Sequence, residues 1–260
     1  MDLKGVKMKK KLSIIILTLL CVSSLYSCRE AGSAPVSATS EEEPPTVLEK
    51  SEDMGKDYID SFVFFGESTT YHLKSRGVLS GGVNTKQVLA DRSGTAILDG
   101  STADMTVVYP ESGELIPFRE AIGRKKPKYL LLTFGLNGAT AKVKRGEAYF
   151  KDCYLKLIEA VRSESPNTKI ILGSCFYVAE NMDMSRYSVT LDGLNECIST
   201  INGWTLELCR DEGLRYLDMN EILTDERGRL KLEYQVGDGH HLTKEAYIKI
   251  IEYIRTHGYK

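Results

Sequence analysis

Short runs of apolar, strand-forming residues alternate along the chain with longer stretches of helical periodicity. Five runs predict buried β-strands, at residues 62–65 (FVFF), 106–109 (TVVY), 129–134 (YLLLTF), 169–174 (KIILGS) and 214–218 (LRYLD). Continuous apolar strands separated by helices are typical of a parallel sheet that is covered on both faces. The pattern therefore predicts a three-layer α/β fold with a mainly parallel sheet.

Three helical stretches have recognisable ends. The first extends from Glu147 to Arg162, and the second extends from Leu191 to Asp211 with Gly213 at the position of a C-cap. The last extends from Thr243 to about Thr256, and Thr243 is of a type favoured as an N-cap. In the first stretch, the apolar residues on one face are Tyr154, Leu157, Ile158 and Val161.

The N-terminal segment has the pattern of an export signal. A basic cluster at residues 9–11 precedes an apolar run at 12–26, and Ser27 and Cys28 follow. This order resembles the lipobox of bacterial lipoproteins, which implies a signal peptide over residues 1–28 with Cys28 as the site of lipid attachment. A transmembrane helix is the less favoured alternative because the run is shorter than the ~20 residues that a span needs. A plain secretory peptide remains a second alternative.

Residues 29–56 are rich in Ser, Ala, Glu and Pro and lack apolar periodicity, which predicts a flexible tether. Residues 57–260 then form one domain of ordinary size. The formal net charge of -2 gives no reason to expect nucleic acid as a partner.

The chain has six cysteines, and Cys21 and Cys28 belong to the signal segment. The other four are Cys153, Cys175, Cys197 and Cys209. Four cysteines allow three disulfide pairings, between which the sequence does not choose. None of the four has the Cys-x-x-Cys spacing that is typical of a zinc site.

Three polar residues follow predicted strands or precede the last helix. Ser68 follows the first strand, Asn137 follows YLLLTF, and His241 precedes the last helix. The carboxyl ends of parallel strands meet at one edge of a sheet, where ligands bind in open α/β folds. A hydroxyl nucleophile, a base and an amide donor are the groups that ester chemistry requires.

Three motifs occur in an order that resembles the SGNH hydrolases, also called GDSL lipases and esterases. They are Gly-Glu-Ser at 66–68, Gly-x-Asn at 135–137 and Asp-x-x-His-Leu at 238–242. The resemblance implies a flavodoxin-like α/β/α sheet and a catalytic triad of Ser68, Asp238 and His241, rather than His240. It also implies an oxyanion hole made by Asn137, the backbone N–H of Ser68 and one glycine.

The glycine of the oxyanion hole has two candidates, Gly81 and Gly82, and we favour Gly82 because small polar residues follow it as in the family. Two positions depart from the family pattern. Glu67 stands where the family usually has Asp, which lengthens the side chain by one methylene. Gly138 stands where an Asp commonly follows the asparagine, which removes a side chain expected to brace that loop.

Each motif also has a simpler explanation. Ser68 and Asn137 are of types common in turns and helix caps, and His240 with His241 could ligate a metal. We expect adjacent histidine side chains not to converge easily on one ion. A non-catalytic, surface-binding lipoprotein that retains the fold is a further alternative.

The resemblance implies an extracytoplasmic serine esterase that is anchored to a bacterial membrane by its lipid. It implies no metal and no organic cofactor, and its substrate would be a small ester or an acylated carbohydrate. O-acetyl groups on cell-wall or other surface glycans are the hypothesis for the substrate. An O-acyltransferase that uses the same site is the nearest alternative, because only the acceptor of the acyl group differs.

Overall fold

The structure is a computed structural model that describes residues 45–260, so the predicted signal segment and the start of the predicted tether lie outside the described residues. The strands are β1 (Phe62–Gly66), β2 (Val88–Leu89), β3 (Thr106–Val108), β4 (Leu115–Pro117), β5 (Tyr129–Thr133), β6 (Lys169–Gly173) and β7 (Arg215–Leu217). The helices are α1 (Gly55–Asp60), α2 (Ser68–Ser75), α3 (Phe118–Lys125), α4 (Ala139–Arg145), α5 (Glu147–Glu164), α6 (Leu191–Asp211), α7 (Asn220–Leu223) and α8 (Lys244–Arg255).

The central sheet has five strands in the order β2-β1-β5-β6-β7, and all its neighbouring strands are parallel. β1 lies between β2 and β5, with Phe65 opposite both Leu89 and Leu132. Gly66, the last residue of β1, lies opposite Thr133, the last residue of β5. The segments that follow β1, β2 and β5 therefore leave the sheet side by side at its carboxyl edge.

Alternate residues of the strands pack on opposite faces of this sheet, because successive side chains of a strand point to opposite sides. Phe65, Leu130 and Leu132 pack on the side of α3, α5 and α6. Phe64 and Leu131 pack on the side of α1, α2 and α8. The predicted three-layer fold with a mainly parallel sheet is confirmed.

One predicted strand belongs to a different sheet. Residues 106–108 pair with Leu115–Pro117 in a separate antiparallel hairpin instead of joining the central sheet. The edge of the central sheet is formed by β2, which contains only two residues. A run this short carries no period that a sequence pattern could reveal, so β2 was not predicted.

The predicted tether does not extend to residue 56. Val47 makes a parallel bridge with Tyr216, and the backbone N–H of Leu48 donates to the Tyr216 carbonyl at 2.8 Å. Leu48 is buried, and Asp53 forms an ion pair with Arg255 of α8. Residues 45–56 are therefore part of the folded domain, since two apolar residues at 47 and 48 suffice to join a sheet edge although their neighbours are polar.

All four cysteines outside the predicted signal segment are free thiols, and Cys153, Cys175 and Cys209 are buried. Within residues 45–260, none of the helices has the length and apolar character needed to cross a bilayer.

Candidate active site

Ser68 lies where the first strand gives way to a helix. β1 ends at Gly66, Glu67 has the extended backbone of an N-cap residue, and Ser68 is the first residue of α2. The first backbone N–H groups of a helix have no intrahelical acceptor, and the helix dipole favours negative charge beside them. Ser68 thus combines an accessible hydroxyl with a backbone N–H that is suited to an anion.

A chain of hydrogen bonds links Ser68 to an imidazole and a carboxylate. Ser68 Oγ lies 3.1 Å from His241 Nε2, and His241 Nδ1 lies 2.7 Å from Asp238 Oδ2. Because an ionised carboxylate only accepts, Nδ1 carries the proton and Nε2 is left to accept from the serine hydroxyl. The structure therefore brings together the three residues nominated from the sequence, in the arrangement in which a histidine can act as a base towards a serine.

Asp238 is held ionised by its own loop. Partial burial alone would raise its pKa, but its Oδ1 accepts from the backbone N–H groups of His241 at 2.9 Å and His240 at 3.1 Å. With the His241 ring bonded to Oδ2, these contacts lower the pKa of Asp238 to about 2. Asp238 is therefore a carboxylate wherever the protein is folded at ordinary pH.

The loop that carries His241 is fixed at both ends. The Gln235 side chain accepts from the backbone N–H groups of Gly237 at 2.5 Å and Gly239 at 3.0 Å, and Val236 N donates to His241 O at 3.0 Å. Ala179 N donates to Gly239 O at 2.7 Å, so the segment after β6 supports the loop. The histidine is therefore positioned by a network of backbone contacts as well as by Asp238.

Asn137 lies in the loop between β5 and α4, beside the loop that follows β2. Its side-chain amide donates to Thr95 Oγ1 at 3.3 Å and to Ala96 O at 3.2 Å. Since β5 and β2 flank β1, Asn137 and residues 90–96 reach the carboxyl edge on either side of Ser68.

The structure places Gly82 away from this site, which corrects the expectation from the sequence. The Gly82 N–H donates to Leu79 O at 2.9 Å in a turn, and the neighbouring Ser80 hydroxyl donates to Asp60, just before β1. Gly82 precedes β2, and because β2 is parallel to β1, this position belongs to the amino edge of the sheet, opposite to the edge that bears Ser68. The same argument excludes Gly81.

The loop at residues 90–96 follows β2 and therefore lies at the carboxyl edge, and its glycine is Gly94. The backbone of Gly94 has a φ of +71°, and a Cβ there would lie 2.5 Å from the Tyr71 ring. Only glycine fits such an approach without displacing the ring. The signal in the sequence was present as Ser93-Gly94-Thr95, but it could not be recognised without knowing where β2 lies.

Two buried charged residues, Glu67 and Lys142, lie behind the Asn137 loop, and no pattern in the sequence predicts Lys142 at this position. Glu67 is 3% exposed, and its two carboxylate oxygens accept from Gly135 N and Asn137 N, each at 3.0 Å. Lys142 is 5% exposed and donates to the Asn137 carbonyl.

Burial and charge act against each other at these two residues. Burial raises the pKa of Glu67, although the two N–H donors and the charge of Lys142 oppose the change. Burial likewise lowers the pKa of Lys142, and the carboxylate of Glu67 opposes it. Each side chain therefore partly offsets the effect of burial on the other.

Two further histidines surround the His241 ring. The ring centroid of His240 lies 3.9 Å from that of His241, and the centroid of His72 lies 4.7 Å from it. Burial, followed by the proximity of His241, lowers the pKa of His72 to about 4 and also lowers that of His240. Both neighbours are thus neutral near pH 7, so neither repels a positive charge on the His241 ring.

Asp238, His240 and His241 also have the donor set of a metal site. Their potential ligand atoms lie within 4.8 Å of one another, so the adjacent histidines converge more closely than the sequence suggests. The carboxylate and Nδ1 atoms in this group are, however, the ones that orient His241 towards Ser68. A metal ion held there would compete with the serine–histidine–aspartate contacts.

Comparison with known proteins agrees with this geometry. The sequence model of the GDSL-like lipase/acylhydrolase family matches residues 64–248, which include Ser68, Asn137, Asp238 and His241. None of the curated proteins compared with the chain matches it.

Several solved structures are similar to the chain, and the first of the following three shows the same fold. A protein described as lipolytic and of the G-D-S-L family, from Desulfitobacterium hafniense DCB-2, has a TM-score of 0.51 and 15% identity over 74% of this chain and 95% of its own. An extracellular lipase from Streptomyces rimosus has a TM-score of 0.47 and 13% identity over 73% of this chain and 97% of its own. The periplasmic domain of a lipopolysaccharide acetyltransferase from Salmonella Paratyphi A has a TM-score of 0.45 and 19% identity over 76% of this chain and 86% of its own.

Proposed function

The chain belongs to the GDSL-like lipase/acylhydrolase family of serine hydrolases that act on esters, and on that premise we propose that it cleaves its substrate through an acyl-enzyme on Ser68. The observation that carries the proposal is the hydrogen-bond chain from Ser68 through His241 to Asp238, at 3.1 and 2.7 Å. This first step is common to esterases and acyltransferases, because both begin with acyl transfer to serine.

In the proposed reaction, Ser68 Oγ attacks the ester carbonyl carbon while His241 Nε2 takes the hydroxyl proton. Asp238 stabilises the imidazolium that forms, and the oxyanion receives hydrogen bonds from the Ser68 N–H and from one N–H of the Asn137 amide, which exchanges its contact with Thr95 Oγ1 for the oxyanion. The tetrahedral intermediate collapses, and the alcohol leaves with the proton from His241. Water, or the hydroxyl of an acceptor, then attacks the acyl-enzyme with His241 again as the base and releases Ser68.

Substitutions of Ser68, of His241 and of its neighbour His240 test the proposed catalytic residues. We expect Ser68→Ala and His241→Gln to lose at least about 10³-fold in kcat on p-nitrophenyl acetate, because each removes a group that the acyl transfer requires. The matched control His240→Gln retains most of the activity, since its side chain lies beside the hydrogen-bond chain without belonging to it. Full activity of Ser68→Ala, with the protein folded by circular dichroism, would refute the proposed nucleophile.

For the substrate, we propose a small acyl group, such as O-acetyl, on a surface glycan, with the protein held outside the cytoplasm by a lipid on Cys28. The support is the lipoprotein-type pattern of residues 1–28 and the polar side chains of Thr95 and Asn137 in the loops at the sheet edge that bears Ser68. These favour a polar substrate over a long acyl chain.

Turnover of acetyl, butyryl and octanoyl p-nitrophenyl esters should therefore fall with chain length. Acetate released from an O-acetylated polysaccharide identifies hydrolysis, whereas acetyl groups that appear on an added glycan identify transfer. Good turnover of long-chain esters together with inactivity on acetylated glycans would contradict the proposal. Radiolabelled palmitate incorporation that is lost in Cys28→Ala tests the anchor.

A further inference from the structure

The loop that bears Asn137 is held by two buried charged side chains that take no part in the serine–histidine–aspartate chain. Glu67 immediately precedes Ser68, and Lys142 lies in α4, one turn after the loop. A buried charge is costly unless hydrogen bonds and an opposite charge offset the loss of hydration. Since two such groups contact the same loop, we examine which atoms of that loop they bind.

Glu67 controls the N-terminal side of Asn137. One carboxylate oxygen accepts from Gly135 N and the other from Asn137 N, each at 3.0 Å. Because both oxygens are engaged by the same loop, the carboxylate fixes the loop in orientation as well as in distance.

Lys142 controls the C-terminal side. Its amine donates to the carbonyl of Asn137, so the two peptide groups that flank the Asn137 Cα are held by opposite charges. A Cβ at Gly138 would lie 3.5 Å from Lys142 Nζ. The lysine amine therefore lies beside the position from which the bracing side chain expected at residue 138 is missing.

We propose that Lys142 is a positioning residue that acts together with Glu67 to hold the Asn137 amide in place for the oxyanion. This inference rests on the proposed function, because it takes Asn137 to be an oxyanion donor. The two charges clamp the backbone on both sides of Asn137, while Thr95 and Ala96 orient its side chain. Positioning of this kind acts on the transition state more than on binding of the ester.

The test is a double-mutant cycle between Lys142 and Asn137 in the full chain. Lys142→Met keeps an unbranched, buried side chain that is one atom shorter and has neither the charge nor the hydrogen bond, and it should lower kcat about 10- to 100-fold with KM little changed. Asn137→Ala should lower kcat about 10²–10³-fold. The double variant should be no slower than Asn137→Ala, because Lys142 acts through a side chain that is then absent.

Lys144→Met is the matched control, since Lys144 lies in the same helix but is exposed. It should have wild-type kcat. If Lys142→Met does not fold, Glu67→Gln replaces it in the same cycle. The Gln side chain has one oxygen in place of two, so it can accept from Gly135 N or from Asn137 N in the observed geometry but not from both. A kcat of Lys142→Met within twofold of wild type would overturn the inference, and so would a double variant whose losses multiply.

A second readout does not depend on catalysis. Hydrogen exchange of the backbone N–H groups of residues 135–138 should quicken at least about tenfold in Lys142→Met and stay unchanged in Lys144→Met, because the clamp holds this loop closed. Unchanged exchange would overturn the clamp. Activity retained in Ser68→Ala would instead refute the proposed function, with the exchange result still deciding whether Lys142 holds the loop.

Discussion

At the scale of single residues, His241 and His72 lie side by side but have different hydrogen-bond partners. His241 contacts a carboxylate and a serine hydroxyl, whereas His72 packs against the His241 ring and has a buried Nδ1 without a hydrogen-bond partner in the described part of the chain. Asp238, Arg76 and Tyr247 lie near His72 as well. The neutral state of His72 is thus a consequence of its burial where α2 packs against the loop that carries His241.

This surrounding predicts a pH dependence of stability. Burial lowers the pKa of His72 from 6.5 to about 4, so between these values the unfolded chain binds a proton that the folded chain does not. The free energy of unfolding should therefore fall as the pH drops from about 6.5 towards 4, and be unaffected by His72 at higher pH.

Urea denaturation of the wild type and His72→Leu at pH 7.5, 6.0 and 5.0 measures this dependence. The variant should lose less stability on acidification than the wild type, with a remaining slope to which His240 contributes because its pKa is lowered too. Identical slopes for the two proteins would show that His72 is not the group responsible.

At the scale of elements, the loop after β2 connects the edge strand to the amide of Asn137. Gly94 in this loop packs against Tyr71 of α2, while Thr95 and Ala96 accept from Asn137. A displacement of the loop should therefore reach the site through the two acceptors of the amide.

A pair of glycines with the same backbone conformation tests this connection. Gly94 and Gly228 both have a φ of +71°, but a Cβ at Gly228 would have no neighbour within 4 Å. Alanine should cost about 1–2 kcal/mol of stability at either position through its backbone conformation alone. Only Gly94→Ala should also lose activity, by roughly tenfold in kcat, because its Cβ displaces the Tyr71 ring or the loop. Equal kcat values in the two variants would contradict the connection.

At the scale of the whole molecule, the first described residues close one edge of the fold. Val47 and Thr46 pair with Tyr216 at the outer strand β7, and Leu48 joins the core on the side of α8. Ser51 and Met54 donate backbone hydrogen bonds to the end of α8. The segment thus joins the last strand of the sheet to the last helix of the chain.

Two truncated chains distinguish the contribution of residues 45–57 from that of the predicted signal and tether. In a chain that begins at residue 45, the free energy of unfolding of the domain should equal that in the full chain. A chain that begins at residue 58 should lose about 3 kcal/mol, because burial of a leucine contributes ~1.5–3 kcal/mol and the edge hydrogen bonds contribute further. Urea denaturation of the two truncated proteins measures the difference, and equal midpoints and slopes would show that residues 45–57 add nothing to the fold.

The sequence was sufficient for those parts of the fold whose signals are local. The helix Leu191–Asp211 has the predicted bounds, and β1, β5 and β6 coincide with long apolar runs. It failed at β2, whose two residues carry no period, and consequently at the glycine of the neighbouring loop. Pairing between strands far apart in the chain decides which loop lies beside Ser68, and a single sequence does not record that pairing.

The sequence by itself determined the fold class and the order of Ser68, Asn137, Asp238 and His241, because apolar periodicity and short motifs are properties of neighbouring residues. Only the tertiary structure decided that Gly82 lies at the opposite edge of the sheet and that residues 45–56 belong to the domain. It also decided that Glu67 and Lys142 contact the Asn137 backbone from opposite sides. These outcomes depend on contacts between segments that are distant in the chain, where burial and register, rather than local pattern, select the partner.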